Sequence, residues 1–270
     1  MKPTPKIKTA RELKALIQER VRSRKADTRT VLTVSSGTCG QARGSHKVIA
    51  SLRKALEEQK LGSKVNLRVT GCHGFCEAEP NIIIYPHDIF YQKVSPKNGK
   101  AIIAETVRRK KVIPELLYRD LETGVTATKE SAIPFYEKQK RIVLGDNPLI
   151  DPTEIDDYFS IGGYTSLIKA LTGMTPEDVI RAVKESGLRG RGGAGFPTGV
   201  KWELARQAKG DVKYIICNAD EGDPGAYMDR SLLEGNPHRV LEGMMIGAYA
   251  IGAREGRVYV RDEYPLAVKH

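Results

Sequence analysis

The chain has 270 residues, enough for one large or two ordinary domains. It is 40% apolar and 29% charged, a balance that supports a buried core and excludes an intrinsically disordered chain. No apolar run reaches membrane-spanning length and the N-terminus has no apolar signal core, so the reading is a cytoplasmic protein with no direct membrane insertion.

The net charge is +11, and residues 1–30 hold ten Lys/Arg against three acids. Residues 1–29 read as a basic helical N-terminal segment. Within it, 9–22 form an amphipathic helix with Leu13, Leu16, Ile17 and Val21 on one side. Such an arm is either a solvated helix with a loose tail or a binding element for nucleic acid, an anionic membrane or an acidic protein. No zinc-finger, helix-turn-helix or RNA-recognition signature accompanies it, so nucleic acid is not an expected partner.

Residues 30–112 read as one small α/β unit. "TVLTVSS" (30–36) is a buried strand, "GTCGQARG" a tight loop, and 45–62 a helix stopping at Gly62. "KVNLRVT" (64–70) alternates as a strand, and "GCHGFCEAEP" is a second loop. "NIIIYP" and "IFYQKV" form a hairpin, and a helix near "KAIIAETVRR" closes the unit. This order predicts a thioredoxin-like domain. Its two loops carry Cys39, Cys72 and Cys76; the fourth cysteine, Cys217, lies in an apolar strand and reads as a buried structural thiol. Four cysteines are too few for a secreted disulfide scaffold of this size, and clustered thiols in a reducing compartment point to metal or redox chemistry.

Residues 113–160 read as a connector. "IPELLYRDLETG" is helical, and the Asp and Pro residues that follow argue against one long helix, so the domain junction falls here. Residues 161–270 alternate helix and strand, an α/β pattern. Thr175 is an N-cap with Pro176 at the first helical position and Asp178 three residues after the cap; Gly187 stops that helix. A helix at Thr198–Ala208, a buried strand at 212–219, a loop, a helix opening at Asn236 and Pro237, and a strand at 256–263 complete the order.

Two turns in this second region carry chemistry. "GLRGRGGAGFPTGVKW" (187–202) contains a G-x-G-x-x-G at Gly190, Gly192 and Gly195. A helix rather than a strand precedes it, so an ordinary dinucleotide-binding turn is disfavoured. Its bare backbone, with Gly193 and Ala194, still makes an anion-binding concavity, into which the helix beginning at Thr198 aims its positive end. Arg191 and Lys201 add charge for a phosphate, and Phe196 offers a flat face for a ring. The bland alternative is a glycine-rich turn packed on a sheet. "NADEGD" sets Asn218, Asp220, Glu221 and Asp223 just after a strand, where open α/β sheets bind ligands. That loop suits hydroxyls and ring nitrogens, or it is a solvated acidic turn.

As a pair, "GLRGRGGAGFPTGVKW" and "NADEGDPG" resemble the NADH-binding flavoprotein subunit of respiratory complex I and its relatives in NAD-dependent hydrogenases and formate dehydrogenases. The resemblance covers roughly residues 140–270. It implies an α/β FMN/NADH-binding domain that passes hydride from NAD(H) to FMN and single electrons to iron–sulfur clusters. It implies that Gly190, Arg191, Gly192, Lys201, Asn218, Asp220 and Glu221 hold FMN, with Gly195 and Thr198 in the same loop and cap. Gly193, Ala194 and Phe196 would line the nicotinamide and adenine side, and Glu221 and Asp223 would serve catalysis. The two turns would face each other across one FMN pocket. Asp223 stands where many relatives carry Glu, and Leu204 where many carry Phe. The family's second glycine-rich segment, its Gly-Glu-Glu stretch and its four-cysteine [4Fe–4S] region are expected only beyond His270.

The cysteine loops, with Pro80 and "YQKV", resemble the thioredoxin-like [2Fe–2S] ferredoxin domain fused to hydrogenase-type flavoprotein subunits. Partners implied are a small [2Fe–2S] subunit and a cluster-rich hydrogenase or dehydrogenase subunit. A [2Fe–2S] cluster takes four protein ligands and three thiols are present. Ser35 and Ser36 lie near the missing position, and His73 is another candidate. Three outcomes stay open: a cluster with an unusual fourth ligand, a degenerate domain without metal, and a zinc site of three cysteines with His73. A rival reading of the whole chain is a catalytically incomplete assembly scaffold.

Overall fold

The computed structural model describes residues 6–270, so the first five residues of the basic segment lie outside it. The chain divides into two compact units. One comprises Lys25–Asp157, Arg230–Pro237 and Pro265–His270; the other comprises the chain up to Arg24, Tyr158–Asp229 and His238–Tyr264.

After helix α1 (Ala10–Lys25), the first unit runs β1 (Thr30–Ser35), α2 (Thr38–Ala42), α3 (Ser45–Glu58), β2 (Val65–Thr70), β3 (Ile82–Tyr85) and β4 (Ile89–Tyr91). The sheet order is β2-β1-β3-β4. β1 and β2 are parallel from Thr30↔Val65 to Ser35↔Thr70, while β3 is antiparallel to β1 and to β4. This is the topology of the expected thioredoxin-like domain. Period-2 alternation of β-branched residues sorts the two faces. Leu32, Val34, Ile82 and Ile84 pack with Val48 and Leu52 of α3 on one side. Ile83 and Phe90 pack with Phe75, Ile133 and Tyr136 on the other.

The closing helix begins as α4 (Gly99–Ala101) and continues as a π-helix over Ile102–Arg108. A side chain at Gly99 would strike Ser51 of α3, so glycine sets this close approach. "IPELLYRDLETG" is not helical. A short 3-10 turn at Pro114–Leu116 leads into a hairpin of β5 (Tyr118–Arg119) and β6 (Thr126–Ala127). Asp120 Oδ1 accepts the N–H groups of Glu122 and Thr123 at 3.1 and 2.7 Å, a local turn that outcompetes the helix ladder. Residues 113–157 belong to this unit: Leu116 and Leu117 enter one core cluster, and Ile133 and Tyr136 of α5 (Pro134–Glu137) and its flank enter the other.

The rest of the chain runs α6 (Ile155–Ser160), α7 (Thr165–Gly173), α8 (Pro176–Glu185), α9 (Thr198–Gln207), β7 (Tyr214–Ala219), α10 (Met228–Gly235), α11 (Pro237–Ile251), β8 (Glu255–Val260) and α12 (Pro265–Lys269). In the second unit, Leu13, Leu16, Ile17 and Val21 of α1 pack with Tyr158, Phe159, Tyr164, Leu167 and Ile168. The apolar stripe of the basic arm is therefore core, and its charges form the outer face. Thr175 and Asp178 make the expected capping box at the start of α8. α10 is not expected from the sequence, because Gly222, Pro224 and Gly225 just before it read as loop.

The strand at 212–219 is not buried as expected. β7 pairs in parallel with β8, and the face carrying Tyr214 and Ile216 is 50% and 63% exposed. Parallel strands are ordinarily covered on both faces; here the apolar run is a half-open sheet. Cys217 is accordingly half-buried rather than sealed in a core, and burial, then Asp229, raises its thiol pKa.

The second unit is also held by one buried carboxylate. Glu242 of α11 accepts from Tyr158 Oη at 2.6 Å, Tyr164 N–H at 2.7 Å and Leu167 N–H at 3.1 Å. Two of those donors lie at the start of α7, where helix N–H groups lack intrahelical partners. Glu242→Ala should therefore destabilise this unit by about 3 kcal/mol, since buried donors lose a charged acceptor. Glu242→Gln should cost less. Urea unfolding followed through α7 would show the difference, and equal midpoints for wild type and Glu242→Ala would contradict it.

Candidate functional site

The glycine turn is a closed loop. Arg189 and Pro197 form an antiparallel bridge at its neck, Gly190 N–H donates to the Phe196 carbonyl at 2.9 Å, and Thr198 N–H to the Leu188 carbonyl at 2.9 Å. Gly193 and Gly195 have φ of 95° and 61°, which any other residue adopts at a cost. Side chains placed at Gly192, Gly193 or Gly195 would meet nothing within 4 Å. Protein packing does not require these glycines: the space over them is open. Gly199 behaves differently, because a side chain there would strike the Lys184 backbone where α9 packs on α8. Residues 190–194 and Lys201 are exposed, as are Phe196 and Leu204. Arg191 Nη1 donates to the Arg189 carbonyl at 2.6 Å and Arg189 Nη1 to the Gly195 carbonyl at 3.1 Å, so two guanidinium groups brace the loop. Thr198 begins α9.

The acidic turn follows β7. Asn218 Oδ1 accepts the Asp220 N–H at 3.2 Å, and Asp223 is exposed. Glu221 has φ of 45° and a side chain already engaged: Oε1 accepts the Asp229 N–H of α10 at 2.8 Å, and Oε2 accepts from Tyr264 Oη at 3.2 Å. Burial, then Glu221, raises the Asp229 carboxyl pKa. Cavities of about 580, 330 and 280 Å³ open beside Arg181 and Arg206, beside Tyr158 and Arg239, and beside Ile215 and Met244. Neither turn lines any of these three.

The cysteine loops do converge. Because β1 and β2 are parallel and in register at Ser35↔Thr70, the loops that leave them emerge at one end of the sheet. Ser36 N–H donates to the Thr70 carbonyl at 2.9 Å and Ser35 N–H to the Asn81 carbonyl at 3.1 Å, which brings the segment before β3 to the same end. There Cys72 Sγ and Cys76 Sγ are 3.8 Å apart. Two sulfurs at ~2.3 Å from one tetrahedral metal stand about that far apart. The first loop is not plain: Thr38–Ala42 coil into α2, and Glu234 caps it by accepting the Thr38 N–H at 2.8 Å. Arg230 Nη2 reaches Cys39 Sγ at 3.7 Å, and Asn147 Nδ2 donates to the Cys72 carbonyl at 2.9 Å.

The thiols differ sharply. Hydrogen bonding from Cys72 lowers the Cys76 pKa to about 6, with further help from Cys39 and against a burial cost. The same contact and burial push the Cys72 thiol far up, and burial followed by Cys76 raises Cys39. His73 is fully buried; its Nε2 lies 2.8 Å from Thr70 Oγ1, and burial lowers its pKa to about 3. Among the described residues no three His, Cys, Asp or Glu side chains are grouped to hold a single metal ion, so the zinc arrangement of three cysteines with His73 is not assembled. Sequence reasoning passed over Glu79, Arg230, Glu234 and Asn147 here. Glu79 stood inside the quoted "GCHGFCEAEP" loop, a signal within reach; Arg230 and Glu234 come from far along the chain and had none.

Residues 183–270, which contain both turns, match the model of the Nuo51 FMN-binding domain. Over 133 residues the chain is 60% identical to the NADP-reducing hydrogenase subunit HndC of Solidesulfovibrio fructosivorans, covering 49% of this chain and 27% of that protein. Over 128 residues it is 51% identical to an NADH-quinone oxidoreductase subunit of Rhizobium meliloti (strain 1021), covering 47% of this chain and 30% of that protein. The chain thus spans less than a third of the length of these relatives. A thioredoxin-like [2Fe–2S] ferredoxin of Aquifex aeolicus aligns at a TM-score of 0.31 and 18% identity, covering 33% of this chain and 88% of that one. The resemblance read from the paired motifs therefore holds across the stretch that carries them. Among the described residues no helix is long and apolar enough to cross a membrane.

The thiol asymmetry gives a pH test on metal-free protein. Raising the pH from 5 to 7 carries Cys76 through its pKa of about 6, so its alkylation rate should rise about tenfold as thiolate forms. Cys39 and Cys72 should stay protonated and slow. Peptide mass spectrometry after iodoacetamide pulses reads each site; a Cys76 midpoint near the ordinary ~8.5 would contradict the arrangement.

Proposed function

We propose that this chain is part of an NADH-oxidising flavoprotein subunit of a multi-subunit redox complex. It takes hydride from NAD(H) onto FMN and sends single electrons onward to iron–sulfur clusters. The observation that carries the reading is the open backbone cradle at Gly192, Gly193 and Gly195, on the loop that opens α9. A phosphate-bearing ligand fits that space, because exposed N–H groups and a helix start favour an anion. Lys201 and Arg191 add formal charge beside it.

In this reading Gly190, Gly192, Gly195, Thr198 and Lys201 hold the phosphate end of FMN. Asn218 and Asp220 hold its hydroxyl and ring-nitrogen side. Gly193, Ala194 and Phe196 take the stacked nicotinamide and adenine. When bound, FMN supplies the exchange between two-electron and one-electron transfer, and the protein supplies position and field. Asp223, exposed on its turn, orients the nicotinamide. Glu221 acts by holding the acidic turn to α10 through Asp229 N–H and Tyr264 Oη, which makes it a positioning residue.

Cys39, Cys72 and Cys76 suit a [2Fe–2S] cluster in the thioredoxin-like unit. Each iron of such a cluster takes two protein ligands, so donors need not converge in threes on one ion. The partners of this reading are a small [2Fe–2S] subunit and a cluster-rich hydrogenase or dehydrogenase subunit, with the complex in the cytoplasm. The basic outer face of α1 suits an acidic neighbour.

Chain incubated with FMN and then desalted should remain yellow, with retained absorbance near ~450 nm that NADH bleaches. Lys201→Ala should weaken flavin retention about tenfold, the value of one charge-assisted phosphate contact. Flavin titration by fluorescence measures it. Unchanged FMN affinity would remove Lys201 from the site, and no flavin binding at all would favour the scaffold reading.

A further inference from the structure

The thioredoxin-like unit holds a buried carboxylate that the three-thiol site does not account for. Glu79 is 1% exposed and stands three residues after Cys76, at the entry to β3. One carboxylate oxygen, Oε1, accepts from Ser35 Oγ. The other, Oε2, is buried with no N–H or O–H donor, and the Cys72 thiol is the polar group beside this carboxyl. A side chain at Gly40, the residue after Cys39, would run into Oε2. Ser35 Oγ also lies 3.4 Å from the Gly71 carbonyl, beside Cys72. Glu79 therefore lies between the loop of Cys39 and the loop of Cys72 and Cys76, and its field acts on all three thiols.

Burial of a carboxylate oxygen without a donor costs several kcal/mol unless the group is neutral or bound to a metal. The hydroxyl candidates named from sequence are otherwise occupied: Ser35 donates to Glu79, and Ser36 Oγ lies 2.8 Å from Ser45 Oγ. His73 Nε2 lies 2.8 Å from Thr70 Oγ1; its Nδ1 is also buried without a partner, but the ring neighbours Asn81 and Arg141, whereas Glu79 lies against the Cys39 loop at Gly40.

We propose that Glu79 is the fourth protein ligand of the [2Fe–2S] cluster, through its Oε2, beside Cys39, Cys72 and Cys76. The inference rests on the cluster reading above. The 3.8 Å separation of Cys72 and Cys76 suits two ligands of one iron, which would leave Cys39 and Glu79 for the other. Oε2 donates a lone pair to iron, and any proton on the carboxyl leaves to solvent as the bond forms. One carboxylate and three thiolates carry the same formal charge as four thiolates. Arg230 Nη2 at 3.7 Å from Cys39 Sγ places positive charge on the mixed-ligand side.

The test is anaerobic reconstitution of the full chain with ferrous iron and sulfide, followed by iron and sulfide analysis, visible absorption and EPR of the reduced protein. Wild type should hold about two irons and two sulfides per chain. Glu79→Ala should lose at least roughly tenfold in cluster retention, the scale of a ligand-shell deletion. Glu79→Cys should restore the cluster with stronger, shifted sulfur-to-iron absorption and an altered EPR signal, because a thiolate replaces an oxygen. Circular dichroism of each apoprotein separates ligand loss from misfolding. If wild type assembles a cluster and Glu79→Ala keeps it in full, or Glu79→Cys gives spectra identical to wild type, the ligand assignment is overturned and the cluster reading stands. If wild type takes up no iron and sulfide, the cluster reading itself fails, and this inference with it.

Discussion

The parallel pairing of β1 with β2 is the constraint on which the cysteine site depends. Parallel strands must exit at the same end of a sheet, and register at Ser35↔Thr70 puts the two loops level there. The antiparallel entry of β3 opposite Val34 then delivers Glu79 to the same edge. The loop after β1, at Cys39, and the stretch from Cys72 to Glu79, more than thirty residues apart in sequence, are brought together by backbone hydrogen bonds. The side chains at those loop positions then meet because the ladder leaves them nowhere else.

That edge is reinforced from far along the chain. Glu234 caps α2 by accepting from Thr38 N–H, and Asn147 ties down the Cys72 carbonyl. Gly71 and Gly235 approach so closely that a side chain on Gly71 would overlap the backbone of Gly235. Arg230, from the same helix as Glu234, places a guanidinium beside Cys39. A positive group there works toward thiolate, the form that binds metal, against the larger effect of burial on Cys39.

The glycine turn and the acidic turn follow a different logic. The glycine loop needs no burial to keep its shape. Its neck is closed by backbone hydrogen bonds, and its left-handed residues are glycines where a conformational penalty would otherwise arise. What remains over Gly192, Gly193 and Gly195 is space rather than protein, so packing within the chain does not account for these glycines. The half-open face of β7 and β8 reflects the short reach of a two-stranded sheet, which cannot cover its own apolar side.

Much of this was legible in the order of residues alone. Local signals sufficed for the Thr175–Asp178 capping box, the glycine loop and the strand–helix–strand order that predicts a thioredoxin-like unit. Such features depend on residues within a few positions of one another. Where local rules competed, the reading slipped: Asp120 turned an expected helix into a hairpin, and α10 hid behind a run of Gly and Pro. The exposure of Tyr214 and Ile216 was invisible in an apolar run, because a run reports hydrophobicity and not how many strands lie beside it. The sequence by itself determined which chemical groups are present and which segments are helix, strand or glycine turn. Only the tertiary structure decided that Glu79 lies between the cysteine loops with one oxygen lacking an N–H or O–H donor. Hydrogen-bond satisfaction is a property of space, and no spacing along the chain records it.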